Sequence, residues 1–232
     1  LFILSSIMKN KPRIVTNAKL KIKNNAIFIL SFIIFLIPAS EIVIQIIQYI
    51  LSKIVKPKLI PKMDFYKGID EEHSTFVVIP TILKSREKVK EMMRNLEVYY
   101  LANKSDNIYF ALLGDCSESG KKQESYDKEV IDEGLREVEI LNNKYSNKQI
   151  PIFNFIYRER KWNDKEEKYL GWERKRGLLN QFNEYILGNI KNPFLTNSIE
   201  NNEDIKEKFK NIKYIITLDA DTDLVLNSAF EL

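Results

Sequence analysis

The stretch YIITLDADTDL, residues 214–224, joins an apolar run to three acidic residues at alternate positions. The apolar run is typical of a buried strand, and Asp219, Asp221 and Asp223 follow it directly. Asp219 and Asp221 would face the same side of a strand, and a turn after the strand could bring both carboxylates around one cation. The alternative is that the acids cap the next segment or stay hydrated in a loop.

Three earlier apolar runs are also predicted to be strands: Thr75–Pro80, Ile108–Asp115 and Ile150–Tyr157. Amphipathic stretches separate the four runs, and Ser85 can cap the first of the helices they predict. The apolar faces of these helices are formed by Val89, Met92, Met93, Leu96 and Tyr100, by Val130, Ile131, Leu135, Val138 and Leu141, and by Leu178, Leu179, Phe182 and Ile186. Strands that alternate with helices predict a parallel sheet with right-handed crossovers. The predicted fold class is therefore α/β.

Polar or turn-forming residues stand where each predicted strand ends. They are Pro80 and Thr81 at the end of the first strand, Gly114 and Asp115 at the end of the second, the basic run from Arg158 at the end of the third, and Asp219 and Asp221 at the end of the fourth. Ligands of such sheets bind at the carboxyl ends of the strands. We therefore expect these strand ends to form one site.

Asp115 has two possible roles at the end of the second strand. Its carboxylate could accept a hydrogen bond from a uracil ring N–H or a ribose hydroxyl, or it could form an Asx-turn or a cap. Cys116 beside it has no neighbouring histidine and is expected to be inert.

The paired acids favour a hard divalent cation. Two ionised carboxylates 4 Å apart repel by roughly 4 kcal/mol at an effective dielectric of 20, and a bound cation removes this cost. The chain has one histidine, His73, and one cysteine, Cys116, so a zinc site of nitrogen and sulfur ligands cannot be assembled. Mg²⁺ or Mn²⁺ at Asp219 and Asp221 would also take phosphate oxygens.

The segment YRERKWNDKEEKYLGWERKRG, residues 157–177, interleaves basic and aromatic residues. Its basic residues could meet phosphate near a helix start, and Gly177 would let a ligand approach the backbone. They are Arg158, Arg160, Lys161, Arg174, Lys175 and Arg176. The part NDKEEK predicts a hairpin or loop tip. The alternatives are a solvated loop with structural tryptophans, or a site for single-stranded nucleic acid, which the acids of this segment oppose.

The remaining charge and hydropathy patterns concern two possible partners, nucleic acid and the membrane. A net charge of +4 argues against a dedicated nucleic-acid binder. Residues 26–51 are apolar and would extend roughly 39 Å as a helix, enough for a hydrocarbon core of about 30 Å, with a kink expected at Pro38. The alternatives are a buried helix, or a short span followed by an interfacial piece. We predict a membrane-anchoring region over 1–55 and a second domain over 56–232. Lysines flank both sides of the apolar stretch, so the positive-inside rule does not choose an orientation.

A set of motifs in this order resembles the glycosyltransferase domain of cyclic β-1,2-glucan synthases, glycosyltransferase family 84, which is related to the inverting family 2. The motifs, from about residue 39 to the end, are ASEIVIQ, PKMDFYKGI, TFVVIPTIL, LEVYYLAN, YFALLGD, YRERKWN, GWERKRG and YIITLDADT. The chain begins without methionine, and we expect it to be internal to a longer protein.

The resemblance implies a GT-A fold, of which this chain would be the Rossmann-like, donor-binding half after a transmembrane helix. It implies that Asp115 contacts the uridine, that Lys175 and Arg176 lie near the nucleotide, and that Asp219 and Asp221 hold Mg²⁺ or Mn²⁺ with the diphosphate of UDP-glucose. Pro80 and Thr81 complete the expected nucleotide-sugar site. The catalytic base, an acid of the acceptor half, is expected beyond Leu232, so no catalytic residue is assigned.

The implied reaction is glucosyl transfer, with inversion, to a growing β-1,2-glucan acceptor. The implied location is the bacterial inner membrane, with the catalytic domain facing the cytoplasm and no nucleic-acid partner. Two alternatives stay open: another membrane-bound transferase of the same fold, and a non-catalytic nucleotide-sugar-binding module.

Overall fold

The first part of the chain is one long helix. The computed structural model describes residues 2–56, 58, 65, 68–145, 150–200 and 203–231, in two units, Leu1–Pro61 and Lys62–Leu232. Helix α1 runs from Phe2 to Ile54 and contains the predicted helix 26–51. It is longer than predicted at both ends. Its part Ile27–Ile54 is long and apolar enough to cross a bilayer.

The second unit contains a five-stranded sheet in the order β6-β3-β2-β1-β7. Strands β1 (Thr75–Ile82), β2 (Ile108–Asp115), β3 (Phe153–Arg158) and β7 (Tyr214–Thr217) are parallel, and β6 (Phe194–Asn197) is antiparallel to β3. This arrangement confirms the predicted α/β class with a parallel, Rossmann-like core. Strand β2 has the predicted bounds.

Helices cover both faces of this sheet. They are α2 (Arg86–Ala102), α3 (Ser125–Tyr145), α4 (Arg174–Ile186) and α5 (Glu203–Lys210). Alternate residues of the strands enter two cores: Val77 and Ile79 of β1 pack with residues of α2 and α3, and Phe76 and Val78 pack with residues of α4 and α5. Burial on both faces explains why the central strands are continuous apolar runs.

The predicted helices are confirmed in type and, largely, in their buried face, although Leu135 of α3, which was predicted to face the core, is exposed. Ser85 caps α2, and its hydroxyl accepts a hydrogen bond from the backbone N–H of Lys88. The buried aromatic residue of α2 is Tyr99, whereas the predicted Tyr100 is only partly buried. Between β3 and α4, strands β4 (Lys161–Asn163) and β5 (Lys168–Leu170) form the hairpin predicted at NDKEEK.

Several details differ from the prediction. Strand β1 extends two residues beyond the predicted Pro80. Strand β3 begins three residues later than the predicted Ile150, and β6 was not predicted. Strand β7 was predicted to be buried, but Tyr214 and Thr217 are exposed. In the described part of the chain β7 is an edge strand, hydrogen-bonded to β1 alone.

Candidate functional site

A cavity of about 650 Å³ lies at the carboxyl ends of the parallel strands. This volume is within the range of roughly 300–1,000 Å³ that small-molecule sites have. The lining comprises Pro80, Thr81, Ile82, Lys88, Asp115, Arg174, Lys175, Leu178, Asp219, Ala220 and Asp221. The structure therefore brings together every predicted site residue except Arg176, whose side chain is 79% exposed and pairs with Glu173. The involvement of Arg176 stays a prediction.

The paired acids lie in a turn just after β7. Leu218 still donates its backbone N–H to Val78 O at 2.9 Å, and the N–H of Thr222 then donates to Asp219 O at 3.0 Å. Asp219 and Asp221 are exposed at the cavity, and Lys175 Nζ pairs with Asp219 Oδ1. The third acid differs, since Asp223 is not among the lining residues and accepts a hydrogen bond from the Tyr99 hydroxyl at 3.2 Å.

These residues fit a cation that is shared with a phosphate ligand. Among the described residues, no group of three or more His, Cys, Asp or Glu side chains is placed to hold a metal ion. Mg²⁺ commonly needs only one or two carboxylates, since substrate phosphates and waters complete its shell. Asp219 and Asp221 supply two carboxylates at the cavity, and Asp219 pairs with the ammonium group of Lys175.

Asp115 is buried at the end of β2, and its oxygens have partners from the protein. Its Oδ1 accepts the backbone N–H of Cys116 at 2.9 Å, and its Oδ2 lies 3.5 Å from Arg158 Nη1. Burial raises the pKa of Asp115, and the charge of Arg158 partly opposes that effect. Burial also raises the pKa of the Cys116 thiol to about 12, so the thiol stays neutral, as expected for an inert cysteine.

Arg158 is buried beneath the turn that begins helix α4. Its side chain is 2% exposed, and its guanidinium donates to Trp172 O at 2.5 Å and to Arg174 O at 3.0 Å. The sequence suggested that this arginine could meet phosphate. The structure shows that interpretation to be wrong, because the guanidinium is enclosed by Asp115 and by backbone carbonyls.

Two glycines make room for this guanidinium. A Cβ on Gly171 would lie 2.4 Å from Asp115 Oδ1 and 2.7 Å from Arg158 Nη1. A Cβ on Gly177 would lie 1.9 Å from Trp172 O and 2.9 Å from Arg158 Nη2. The space beside Gly177 is therefore filled by the protein, and the predicted approach of a ligand to this backbone is wrong.

We expect Gly177→Ala to lower the free energy of unfolding by about 1–2 kcal/mol. The overpacking should cost about 2–3 kcal/mol, in the upper part of the usual range, because the crowded atom, Trp172 O, belongs to the backbone. The better helix propensity of alanine, about 1 kcal/mol, offsets only part of this cost. Gly120→Ala is the control, since its Cβ would meet no atom within 4 Å. Urea unfolding of the detergent-solubilised chain, followed by tryptophan fluorescence, measures both variants. An unchanged or higher stability of Gly177→Ala would contradict the close packing.

Arg160 is a second buried arginine that was taken as a possible phosphate ligand. It donates to Ser117 O at 2.7 Å and to the Tyr126 hydroxyl at 2.8 Å, and it pairs with the buried Asp127. Tyr157 also donates to Asp127 Oδ1 at 3.0 Å, and burial raises the pKa of that phenol. The interpretation of Arg160 as a phosphate ligand is therefore wrong, and neither Arg160 nor any of these partners lines the cavity.

Sequence comparison gives one informative match. No family model matches the chain. The chain is 33% identical over 204 residues to the cyclic beta-(1,2)-glucan synthase NdvB of Rhizobium meliloti (strain 1021). The match covers 88% of this chain and 7% of that protein, so the chain spans only a small part of the relative's length. It confirms the resemblance to cyclic β-1,2-glucan synthases that the motifs indicated.

Proposed function

We propose that this chain, which is related to a segment of a cyclic β-(1,2)-glucan synthase, is the donor-binding part of a UDP-glucose-dependent glycosyltransferase. The reaction we propose for the whole enzyme is inverting transfer of glucose to a growing β-1,2-glucan. The observation that carries the proposal is the cavity at the carboxyl edge of the sheet, where Asp115, Lys175, Asp219 and Asp221 come together. The two exposed acids can hold a cation, the basic side chains can contact phosphate, and the buried carboxylate can contact a nucleoside. Together these groups suit a nucleotide sugar.

The proposed roles follow from charge and position. Asp219 and Asp221 would hold Mg²⁺ or Mn²⁺, which neutralises charge on the departing diphosphate. Lys175, now paired with Asp219, would turn its ammonium group to the phosphates, and Lys88 and Arg174 would add positive charge around them. These side chains bind and orient the donor and stabilise the leaving group.

Asp115 is proposed to meet the nucleoside. Each carboxylate oxygen has two lone pairs, so Oδ1 can accept from a ring N–H or a ribose hydroxyl while it keeps the N–H of Cys116. A neighbouring cavity of about 420 Å³ shares Ile82 and Arg174 with the first and is also lined by Cys116 and Trp172. It offers room for a planar base beside Asp115.

Inverting transfer also needs a group that deprotonates the acceptor hydroxyl. We assign no residue of the described chain to this role and propose that the base belongs to an acceptor-binding part of the enzyme. We further propose that Ile27–Ile54 crosses the bacterial inner membrane and that the nucleotide-binding unit faces the cytoplasm, where UDP-glucose would be available.

The test is calorimetric titration of the detergent-solubilised chain with UDP-glucose. We expect binding in the presence of Mn²⁺ or Mg²⁺ and its loss when EDTA removes the metal. ADP-glucose is the matched ligand, since it differs only in the base that Asp115 would recognise, and it should bind more weakly. Absence of binding of both UDP-glucose and UDP in saturating Mn²⁺ would refute the donor function.

A further inference from the structure

We propose that Arg158 is a positioning residue of the donor site, which holds the turn Gly171–Arg174 in the shape that places Lys175 at the diphosphate. The contact of Lys175 with the diphosphate rests on the proposed donor function, whereas the effect of Arg158 on the shape of the turn does not.

The guanidinium of Arg158 joins three segments that are distant in sequence. It lies at the end of β3, faces Asp115 at the end of β2, and donates to Trp172 O and Arg174 O in the turn. Its side chain is almost fully buried, so water does not compete for these hydrogen bonds. Arg158 therefore links the sheet directly to the beginning of α4.

The turn that Arg158 holds has an unfavourable backbone conformation. Glu173 and Arg174 have φ angles of +47° and +46°, in the left-handed region that residues other than glycine rarely adopt. Such conformations persist only where the surroundings enforce them. Here the carbonyl groups of Trp172 and Arg174 flank the two residues, and both carbonyls accept from Arg158.

The shape of this turn sets the direction of the first turn of α4. Lys175 follows the two left-handed residues directly, and its ammonium group reaches Asp219 across the cavity. A relaxed turn would rotate the beginning of the helix and move Lys175 away from the acids. Lysine could not replace Arg158, because an ammonium group lacks the planar fork that donates to two carbonyls at fixed positions.

The experiment compares Arg158→Lys with Arg160→Lys in the full detergent-solubilised chain. Both variants change a buried arginine that pairs with an acid, but only Arg158 contacts the turn. Hydrogen exchange by mass spectrometry is read at residues 171–177, and the Kd for UDP-glucose with Mn²⁺ is measured in parallel. In Arg158→Lys we expect exchange at least about 10-fold faster in the turn and a Kd about 10-fold higher, and in Arg160→Lys both should stay within about twofold.

A second variant separates positioning from general support of the fold. Adding Glu173→Gly to Arg158→Lys removes part of the cost of the left-handed conformation, so exchange and Kd should return toward native values. Equal exchange changes in the two lysine variants, or no rescue by Glu173→Gly, would overturn the proposal. If the unaltered chain does not bind UDP-glucose, the proposed function fails, and the exchange data alone still decide whether Arg158 shapes the turn.

Discussion

Asp219→Asn and Asp221→Asn should each abolish metal-dependent binding of UDP-glucose, whereas Asp223→Asn should retain it. Asparagine keeps the size of the side chain but removes the charge that a divalent cation requires. Loss of residues that merely support metal ligands typically weakens metal binding 10–100-fold, so loss of a direct ligand should raise the apparent Kd by at least about 100-fold. The measurement is calorimetry with UDP-glucose at fixed Mn²⁺ concentration.

Asp223 is a matched control within the same segment of the chain. It is an exposed acid two residues after Asp221, but it accepts from Tyr99 and does not line the cavity. A general effect of surface charge on a diphosphate ligand would appear in all three variants, and without metal as well. Native affinity in Asp219→Asn and Asp221→Asn, or equal losses in all three variants, would refute the metal site.

The central strands could be predicted because burial on both faces leaves a continuous apolar signal. Strand β2 was predicted with its exact bounds, and Ser85 with the helix it caps was also predictable from local chemistry. Strand β6 was missed, since Phe194–Asn197 is four residues long and half of it is polar. The exposure of β7 could not be predicted, because the apolar run of an edge strand looks like that of a central strand.

The candidate site was predictable to the extent that it depends on topology. Parallel strands place their carboxyl ends at one edge, so Asp115 and the paired acids could be expected together. The two buried arginines could not be recognised, since Arg158 and Arg160 look like surface residues until Asp115 and Asp127 are brought beside them. The one available signal was their place at or just after the end of a buried strand, where a charged side chain can be buried with a partner.

The ion pair of Arg160 and Asp127 should be among the most sensitive points of the fold. We expect Asp127→Asn to lower the free energy of unfolding by about 3–5 kcal/mol, because it leaves the buried guanidinium without a counter-charge. The backbone N–H of Glu124, which donates to Asp127 Oδ2 at 2.7 Å, and the Tyr157 hydroxyl would also face a weaker acceptor. Urea unfolding followed by tryptophan fluorescence gives the change, and Asp132→Asn, at an exposed acid of the same helix, should change stability by less than about 0.5 kcal/mol.

A double-mutant cycle distinguishes a paired charge from a local defect in α3. Removing both charges, in Asp127→Asn with Arg160→Met, leaves no unpaired ion in the interior, so the double variant should be more stable than the sum of the single effects predicts. The expected coupling is about 1–3 kcal/mol, within the range observed for contacting residues. Strict additivity would mean that the two groups act independently, in which case Asp127 would matter only through its bonds to Glu124 and Tyr157.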